Sequence, residues 1–105
     1  MFKNEGNALP TPNLIISQVC KFYSIDESVL RSTLRSKNTT EARQMAIFLV
    51  RKLTNLSLPD IGKEFNRDHS TVLYSIQKVE SGVAAGDEAL KNTIRDITSN
   101  INSCL

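Results

Sequence analysis

The sequence predicts an all-α domain of about six helices, and three observations lead to that prediction. Apolar residues recur at intervals of three and four residues along several stretches of the 105-residue chain. No stretch alternates apolar and polar residues over a useful length, as a half-buried strand would. Proline and glycine, which interrupt helices, number only three and four. A chain of this length can bury one modest core, so a single domain is expected.

The first two helices are predicted from their capping residues. Residues 1–10 are polar and indicate a linker or the cut edge of a longer protein, which assigns the domain to residues 11–105. Thr11 can cap a helix that has Pro12 at its first position. The apolar face of this helix consists of Leu14, Ile15, Val19, Phe22 and Tyr23. Asp26 then caps a short second helix with the sequence DESVLRSTL.

The third helix has the strongest periodic signal in the chain. Asn38, followed three residues later by Glu41, resembles a capping box. The helix is expected from about Thr39 to Thr54, with Arg43, Gln44, Arg51 and Lys52 on its polar side. Its buried face is formed by residues at helical spacing: Ala42, Met45, Ala46, Leu49, Val50 and Leu53.

Two helices joined by a tight turn follow the long helix and predict a helix-turn-helix. Ser57 caps the first of them, and Asn66 and Arg67 form the turn. Asp68 caps the second, which is expected to end at Gly82. The first helix should bury Leu58, Ile61 and Phe65. The second should bury Val72, Leu73, Ile76 and Val79.

A sixth, amphipathic helix is predicted at the end of the chain. The sequence AAG before it forms a joint, and Asp87 begins the helix. Four apolar residues face inward: Leu90, Ile94, Ile97 and Ile101.

Positive charge is concentrated in the middle of the chain. The formal net charge is only +2, but nine Lys and Arg residues and four Asp and Glu residues lie between Arg31 and Lys78. Such a distribution favours a surface that faces a polyanion, although a solvated basic face would have the same composition.

The sequence Asp-His-Ser-Thr at the start of the second helix of the helix-turn-helix admits three interpretations. A Ser-His-Asp hydrolase needs converging side chains, whereas consecutive helical residues point about 100° apart. Alternatively, Asp68 is an ordinary helix cap followed by a solvated first turn. The third interpretation is base reading: His69, Ser70 and Thr71 occupy the positions from which a helix entering the major groove contacts base edges. The basic middle of the chain favours this last one.

Several other classes of protein and site are not indicated by the sequence. No run approaches the ~20 apolar residues of a membrane span, and the first residues lack the apolar centre of a signal peptide. Cys20 and Cys104 are too few for a zinc site or a disulfide framework, though they could pair with each other. No catalytic or metal-binding residues are assigned, and a reducing cytoplasm, in contact with the nucleoid, is the expected location.

The long helix and the helix-turn-helix closely resemble a known family. The stretch EARQMAIFLVRKLTNLSLPDIGKEFNRDHSTVLYSIQKVE is similar to the C-terminal DNA-binding domain of bacterial chromosomal replication initiators, the DnaA family. The ordered run ARQMA, LTN, SLP, IG and RDHST carries the resemblance, which extends from about Ile15 to Val79. It implies a helical cluster like that of the Trp repressor and sequence-specific binding to initiator boxes in duplex DNA at the replication origin.

The resemblance also implies roles for individual residues. Those that would read bases in the major groove are Asp68, His69, Ser70 and Thr71. Arg35 would enter the adjacent minor groove, with Lys37 as a point charge beside it. The remaining residues would contact phosphates or lie close to the backbone of the DNA: Arg43, Gln44, Arg51, Leu58 and Pro59.

This chain departs from the family pattern in its turn and in its reading residues. Members commonly have two glycines where only Asn66 stands here, so the turn is one residue shorter. Ser70 occupies a position that many members fill with threonine, which would add a methyl group for contact with thymine.

The chain contains no GxxxxGK[ST] motif, so the resemblance implies a non-enzymatic, cofactor-free domain. ATP is expected only in the ATPase module of a full-length initiator, from which this chain would be an excised C-terminal domain. A stand-alone DNA-binding regulator is the alternative, as is a helical protein-interaction module that uses Ile47, Phe48 and Leu56. The isolated domain is expected to be a monomer that binds duplex DNA and, within an initiator, meets regulatory proteins.

Overall fold

The computed structural model describes residues 9–105, and this part of the chain folds into six α-helices without a strand. The helices are α1 (Pro12–Tyr23), α2 (Glu27–Arg31), α3 (Lys37–Leu53), α4 (Leu58–Phe65), α5 (His69–Ala84) and α6 (Glu88–Ser103). The predicted all-α class is confirmed. The N-terminal segment assigned to a linker lies outside the described residues, except for Leu9, which is exposed, and Pro10, which is buried.

Helix α1 begins and ends through local capping. The Thr11 hydroxyl accepts from the Leu14 amide at 3.1 Å, and Ser24 closes the helix in a left-handed conformation. The predicted inward face is correct for Ile15 and Val19, which are fully buried. It is wrong for Phe22, which is 43% exposed at the end of the helix.

Helix α2 is shorter than the sequence predicts. Asp26 occupies the N-cap position, but its side chain makes no capping hydrogen bond, and the helix already ends at Arg31. The Ser32 hydroxyl donates to the Val29 carbonyl at 2.6 Å and accepts from the Leu34 amide at 3.1 Å. These bonds replace the helix continuation and start the loop that connects α2 to α3.

Helix α3 forms the centre of the domain and packs against α1, α2, α4 and α5. It begins at Lys37, two residues before the predicted start at Thr39, because Ser36 rather than Asn38 caps it by accepting from the Thr39 amide at 3.2 Å. The side-chain amide of Asn38 instead donates to the Tyr23 carbonyl and so connects α3 to the end of α1. Ile47 and Phe48, considered above for a partner surface, are buried.

The turn between α4 and α5 depends on a close approach of two backbone segments. Asn66 adopts the left-handed conformation with φ 55°, and the Arg67 amide donates to the Gly62 carbonyl at 2.9 Å. A Cβ atom on Gly62 would lie 2.6 Å from the Arg67 carbonyl oxygen. A single asparagine therefore closes the shortened turn, and Gly62 provides the space for it.

Helices α5 and α6 form a hairpin that completes the core. Helix α5 runs past Gly82, the predicted end, to Ala84, and the missing side chain of Gly82 leaves space for the Leu90 side chain of α6. The Asp87 carboxylate caps α6 by accepting from the Leu90 amide at 3.0 Å. Ile97 and Ile101 are buried, and α6 packs against α1 and α5.

No helix among the described residues is long and apolar enough to cross a membrane. Both cysteines are free thiols: Cys20 is buried, and Cys104 is exposed at the C-terminal end. The amide of Gln18 donates to the Cys104 sulfur at 3.6 Å, which fastens the end of α6 to α1.

Replacing Gly62 with alanine tests whether the close approach determines the turn. We expect Gly62→Ala to lower the free energy of unfolding by about 1–3 kcal/mol, as overpacking does, because the added carbon meets backbone that cannot move aside alone. Urea unfolding followed by circular dichroism measures this. Gly82→Ala is the matched control, since its added carbon meets the flexible end of the Leu90 side chain and should cost less. Equal losses in the two variants would contradict the explanation.

Candidate nucleic-acid interface

The N-terminal end of α5 presents polar side chains to solvent. Asp68, His69 and Ser70 are exposed and Thr71 is half-buried. The Asp68 carboxylate accepts from the Thr71 amide at 2.8 Å and so satisfies one of the free amides at the helix end. The partial positive charge of a helix N-terminus lies at the same place. This end of α5 is therefore suited to contact with a polar, negatively charged partner.

Asp68 keeps its negative charge while capping the helix. The Thr71 amide, and after it the Thr71 hydroxyl, lower the pKa of the Asp68 carboxyl below its ordinary value, with smaller contributions from the Ser70 amide and the nearby His69. The carboxylate is directed to the Thr71 backbone. This arrangement is that of a cap rather than of a catalytic aspartate that orients an imidazole.

The exposed face of α5 continues beyond its first turn. Leu73 and Tyr74 are 39% and 57% exposed, and they follow His69 and Ser70 by four residues, which places each pair on one side of the helix. The prediction that Leu73 faces the core is wrong. Val72, Ser75, Ile76 and Val79 are the buried residues of α5. Tyr74 is not among the candidates predicted from the sequence, although its position one turn after Ser70 indicates the same face.

The loop between α2 and α3 carries two further candidates. Arg35 is exposed in this loop, and Lys37 is exposed at the first position of α3. The neighbouring Leu34 is also exposed.

Three arginines, Arg31, Arg43 and Arg67, bind backbone carbonyls around this loop, and we call them the arginine clamp. From α3, Arg43 donates to the carbonyls of Leu30 at 2.8 Å, Ser32 at 2.9 Å and Leu34 at 3.1 Å. From the turn, Arg67 also donates to the Ser32 carbonyl. The clamp thereby joins the loop to the long helix and to the helix-turn-helix.

The other bonds of the clamp attach the end of α4. The Arg31 Nε donates to the Glu64 carbonyl at 3.0 Å. Arg67 Nη1 donates to the carbonyls of Phe65 and Asn66, each at 3.2 Å. Carbonyls that would otherwise be unpaired after α2 and α4 therefore receive charged donors.

Arg43, which the resemblance assigns to a phosphate, is bonded to the backbone of its own chain. Its side chain is buried, with 7% of the residue exposed, and its Nε and Nη2 are bonded to the loop carbonyls. Burial lowers the pKa of the Arg43 guanidinium, and the charges of Arg67 and Arg35 lower it further. An arginine remains protonated at neutral pH despite such a shift. The structure thus places Arg43 beneath the loop, as a support for it.

The remaining candidates lie on α3 and on the first turn of α4. Gln44 is half-buried, and Arg51 is exposed with one guanidinium nitrogen donating to the Leu56 carbonyl at 3.1 Å. Leu58 packs partly against the core, while Pro59 is exposed beside it. Among residues 9–105, no group of three or more His, Cys, Asp or Glu side chains could hold a metal ion.

Comparisons with known proteins identify similar chains. The family model described as the bacterial DnaA protein helix-turn-helix matches residues 12–79. A chromosomal replication initiator protein DnaA from Caldanaerobacter subterraneus subsp. tengcongensis is 42% identical over 91 residues, which cover 87% of this chain and 20% of the relative. The same protein from Streptococcus agalactiae serotype Ia is 42% identical over 103 residues, covering 89% of this chain and 22% of the relative.

A solved structure has the same fold. It is described as the crystal structure of a DNA replication initiation factor, and it superposes with a TM-score of 0.70 at 30% sequence identity. The similarity covers 83% of this chain and 28% of that chain. This chain therefore spans about a fifth of the length of the curated relatives that it matches.

Because the Asp68 cap is ionised, the stability of α5 should depend on pH in the acid range. Because the pKa is lowered on folding, the ionised cap contributes fully above the ordinary aspartate value of about 3.9. This contribution is lost as the pH falls through the lower value of the folded protein. Asp68→Asn retains a capping side chain without the charge. We expect the difference in melting temperature between wild type and Asp68→Asn to shrink as the pH is lowered from 6 towards ~2.5, well below the ordinary value. A difference that stays constant over this range would contradict the assignment.

Proposed function

Since this chain belongs to the bacterial DnaA helix-turn-helix family, we propose that it binds duplex DNA sequence-specifically, at initiator boxes of the replication origin. The observation that carries this proposal is the exposed polar end of α5 directly after the tight turn. A helix is about 10–12 Å wide with its side chains, and the major groove is about 12 Å wide. The end of α5 can therefore enter the groove with its first turn towards the base edges.

Each reading residue has a chemical partner in the major groove. His69 and Ser70 can donate to purine acceptors, and the Thr71 methyl group can pack on the methyl group of thymine. Asp68 accepts from the Thr71 amide through one carboxylate oxygen, and the other oxygen can accept from the amino group of cytosine or adenine. The positive end of the helix favours nearby phosphates.

The other candidates hold the duplex in place. We assign Arg35 to the adjacent minor groove, where an arginine gains most from a narrow A·T-rich segment. Lys37 and Arg51 supply charge for phosphates, while Gln44 and the first turn of α4 at Leu58 and Pro59 supply close contacts. Arg43 takes no direct part in this assignment, because it is buried and its Nε and Nη2 hold carbonyls of α2 and the loop.

In a longer initiator, residues 11–105 would serve as the DNA-binding domain that places the protein on the origin. ATP binding would belong to a module outside this chain, and regulatory proteins would act on the assembled initiator. The domain would act in the cytoplasm on nucleoid DNA, as a monomer on each box, without a cofactor or an enzymatic reaction of its own.

Substitutions in the first turn of α5 should remove sequence preference. We expect His69→Ala or Thr71→Ala to reduce the preference for an initiator-box duplex over a scrambled duplex by about 1–3 kcal/mol, because each variant loses base contacts. Fluorescence anisotropy of the two labelled duplexes, at two salt concentrations, measures the preference. A preference that is unchanged in both variants would contradict the assignment of the reading residues.

Arg51→Ala should act differently from the reading variants. We expect it to weaken binding to both duplexes equally and to reduce the slope of log K against log salt by about one, because one phosphate contact is lost. A selective loss on the box duplex would show that Arg51 reads sequence instead. If wild type binds the two duplexes equally, the proposed function itself is wrong.

A further inference from the structure

The Ser32 carbonyl accepts hydrogen bonds from two arginines that belong to different parts of the fold. Arg43 reaches it from α3 at 2.9 Å, and Arg67 reaches it from the turn of the helix-turn-helix. Arg43 and Arg67 lie 11 and 35 residues after Ser32 in the sequence, and both bond to this one oxygen. The loop that begins at Ser32 carries Arg35, so the position of Arg35 is tied to the position of α5.

The clamp brings three positive charges together with few carboxylates paired to them. Within the part of the chain that the structure describes, Glu27 is the one carboxylate paired with a clamp arginine, 3.6 Å from Arg31 Nη1. Arg67 and Arg35 both disfavour the charge on Arg43. A fold that needed only to fill unpaired carbonyls could use neutral donors. Three guanidinium groups instead raise the local positive potential, which suits a surface that contacts a polyanion.

The hydrogen bonds also determine geometry rather than merely charge. A guanidinium is a planar group with five donors in fixed directions, whereas the ammonium of lysine is a point charge on a flexible chain. Arg43 uses one guanidinium for three alternate carbonyls, that of Leu30 in α2 and those of Ser32 and Leu34 in the loop. Arg67 links the same loop to the carbonyls of the turn. The backbone of the loop that carries Arg35 is therefore held by two planar guanidinium groups.

We propose that Arg43 and Arg67 are positioning residues that set the spacing between Arg35 and the end of α5. The bases contacted by α5 in the major groove and the minor-groove segment contacted by Arg35 are then a fixed number of base pairs apart. This inference rests on the proposed function. It adds that two arginines bonded to the loop backbone determine how strictly an A·T-rich flank must be placed relative to the bases under α5.

The test uses charge-conserving variants, Arg43→Lys and Arg67→Lys, with Arg95→Lys as the control. Arg95 lies on α6, is exposed and bonds to the Asn92 side chain, so it belongs to neither the clamp nor the proposed interface. Anisotropy is measured on four duplexes: the box with an A·T-rich flank, the box with a G·C-rich flank, the box with the A·T-rich flank displaced by a single base pair, and a scrambled sequence.

We expect wild type and Arg95→Lys to prefer the A·T-rich flank in its normal position. Arg43→Lys and Arg67→Lys should reduce this flank preference to within about twofold of that of Arg35→Ala, while the preference for the box over the scrambled duplex changes by less than about twofold. Combining Arg35→Ala with Arg67→Lys should remove no further flank preference, since both act through the same contact.

Amide hydrogen exchange of the free protein separates positioning from loss of the fold. In both lysine variants the Leu34 amide should exchange at least about tenfold faster, while amides of buried α3 residues keep their wild-type rates. If both variants lose the folded state, the clamp holds the fold rather than the register, and the inference is overturned. A flank preference that stays at the wild-type level in both folded variants overturns it too, and leaves the proposed function standing. Equal binding of wild type to box and scrambled duplexes would overturn both.

Discussion

The contact between Gly62 and the Arg67 backbone is the constraint on which the rest of this structure depends. The Gly62 carbonyl accepts from the Arg67 amide, and the two segments lie too close for a side chain at position 62. This approach, with Asn66 in the left-handed conformation, sets the angle between α4 and α5. It also directs the Arg67 side chain towards the α2–α3 loop. One turn therefore determines both where the end of α5 lies and how the loop carrying Arg35 is held.

The proposed interface combines exposed polar residues with the arginine clamp beside them, in which Arg43 is buried and Arg31 and Arg67 are half-buried. Charged donors compensate the unpaired carbonyls after α2 and α4, which buried backbone requires. The same guanidinium groups add to the positive potential of the basic middle of the chain. Among the described residues, Glu27 is the only carboxylate that forms an ion pair with a clamp arginine. A polyanion bound across the loop and α5, as proposed, would compensate this charge.

Local features of the sequence were sufficient for much of the fold. Thr11, Ser57, Asp68 and Asp87 were predicted as caps and act as caps, because a cap depends on residues within one turn. The start of α3 was predicted wrongly because Ser36 and Asn38 can both cap, and a tertiary bond to Tyr23 occupies Asn38. Phe22 and Gly82 are misassigned because a periodic pattern does not give the limits of a helix. Leu73 is misassigned because an apolar residue at helical spacing can lie at the exposed edge of the buried face.

The candidate site was predictable where it depends on position in a helix and unpredictable where it depends on the loop. The exposure of Asp68, His69 and Ser70 follows from their place at the start of α5. The burial of Arg43 could not be predicted, because it requires the carbonyls of Leu30, Ser32 and Leu34 to converge on one guanidinium. Sequence patterns do not encode such a convergence. The DNA contacts assigned to the site residues remain predictions.

The most direct test of the account is a titration of the isotopically labelled protein with an initiator-box duplex, followed by backbone amide chemical shifts. The account predicts that the largest changes occur at residues 68–74 and in the loop from 33 to 37, with little change on α6. Largest changes on α1 and α6, with the end of α5 unaffected, would contradict it and indicate that this domain meets DNA through another surface.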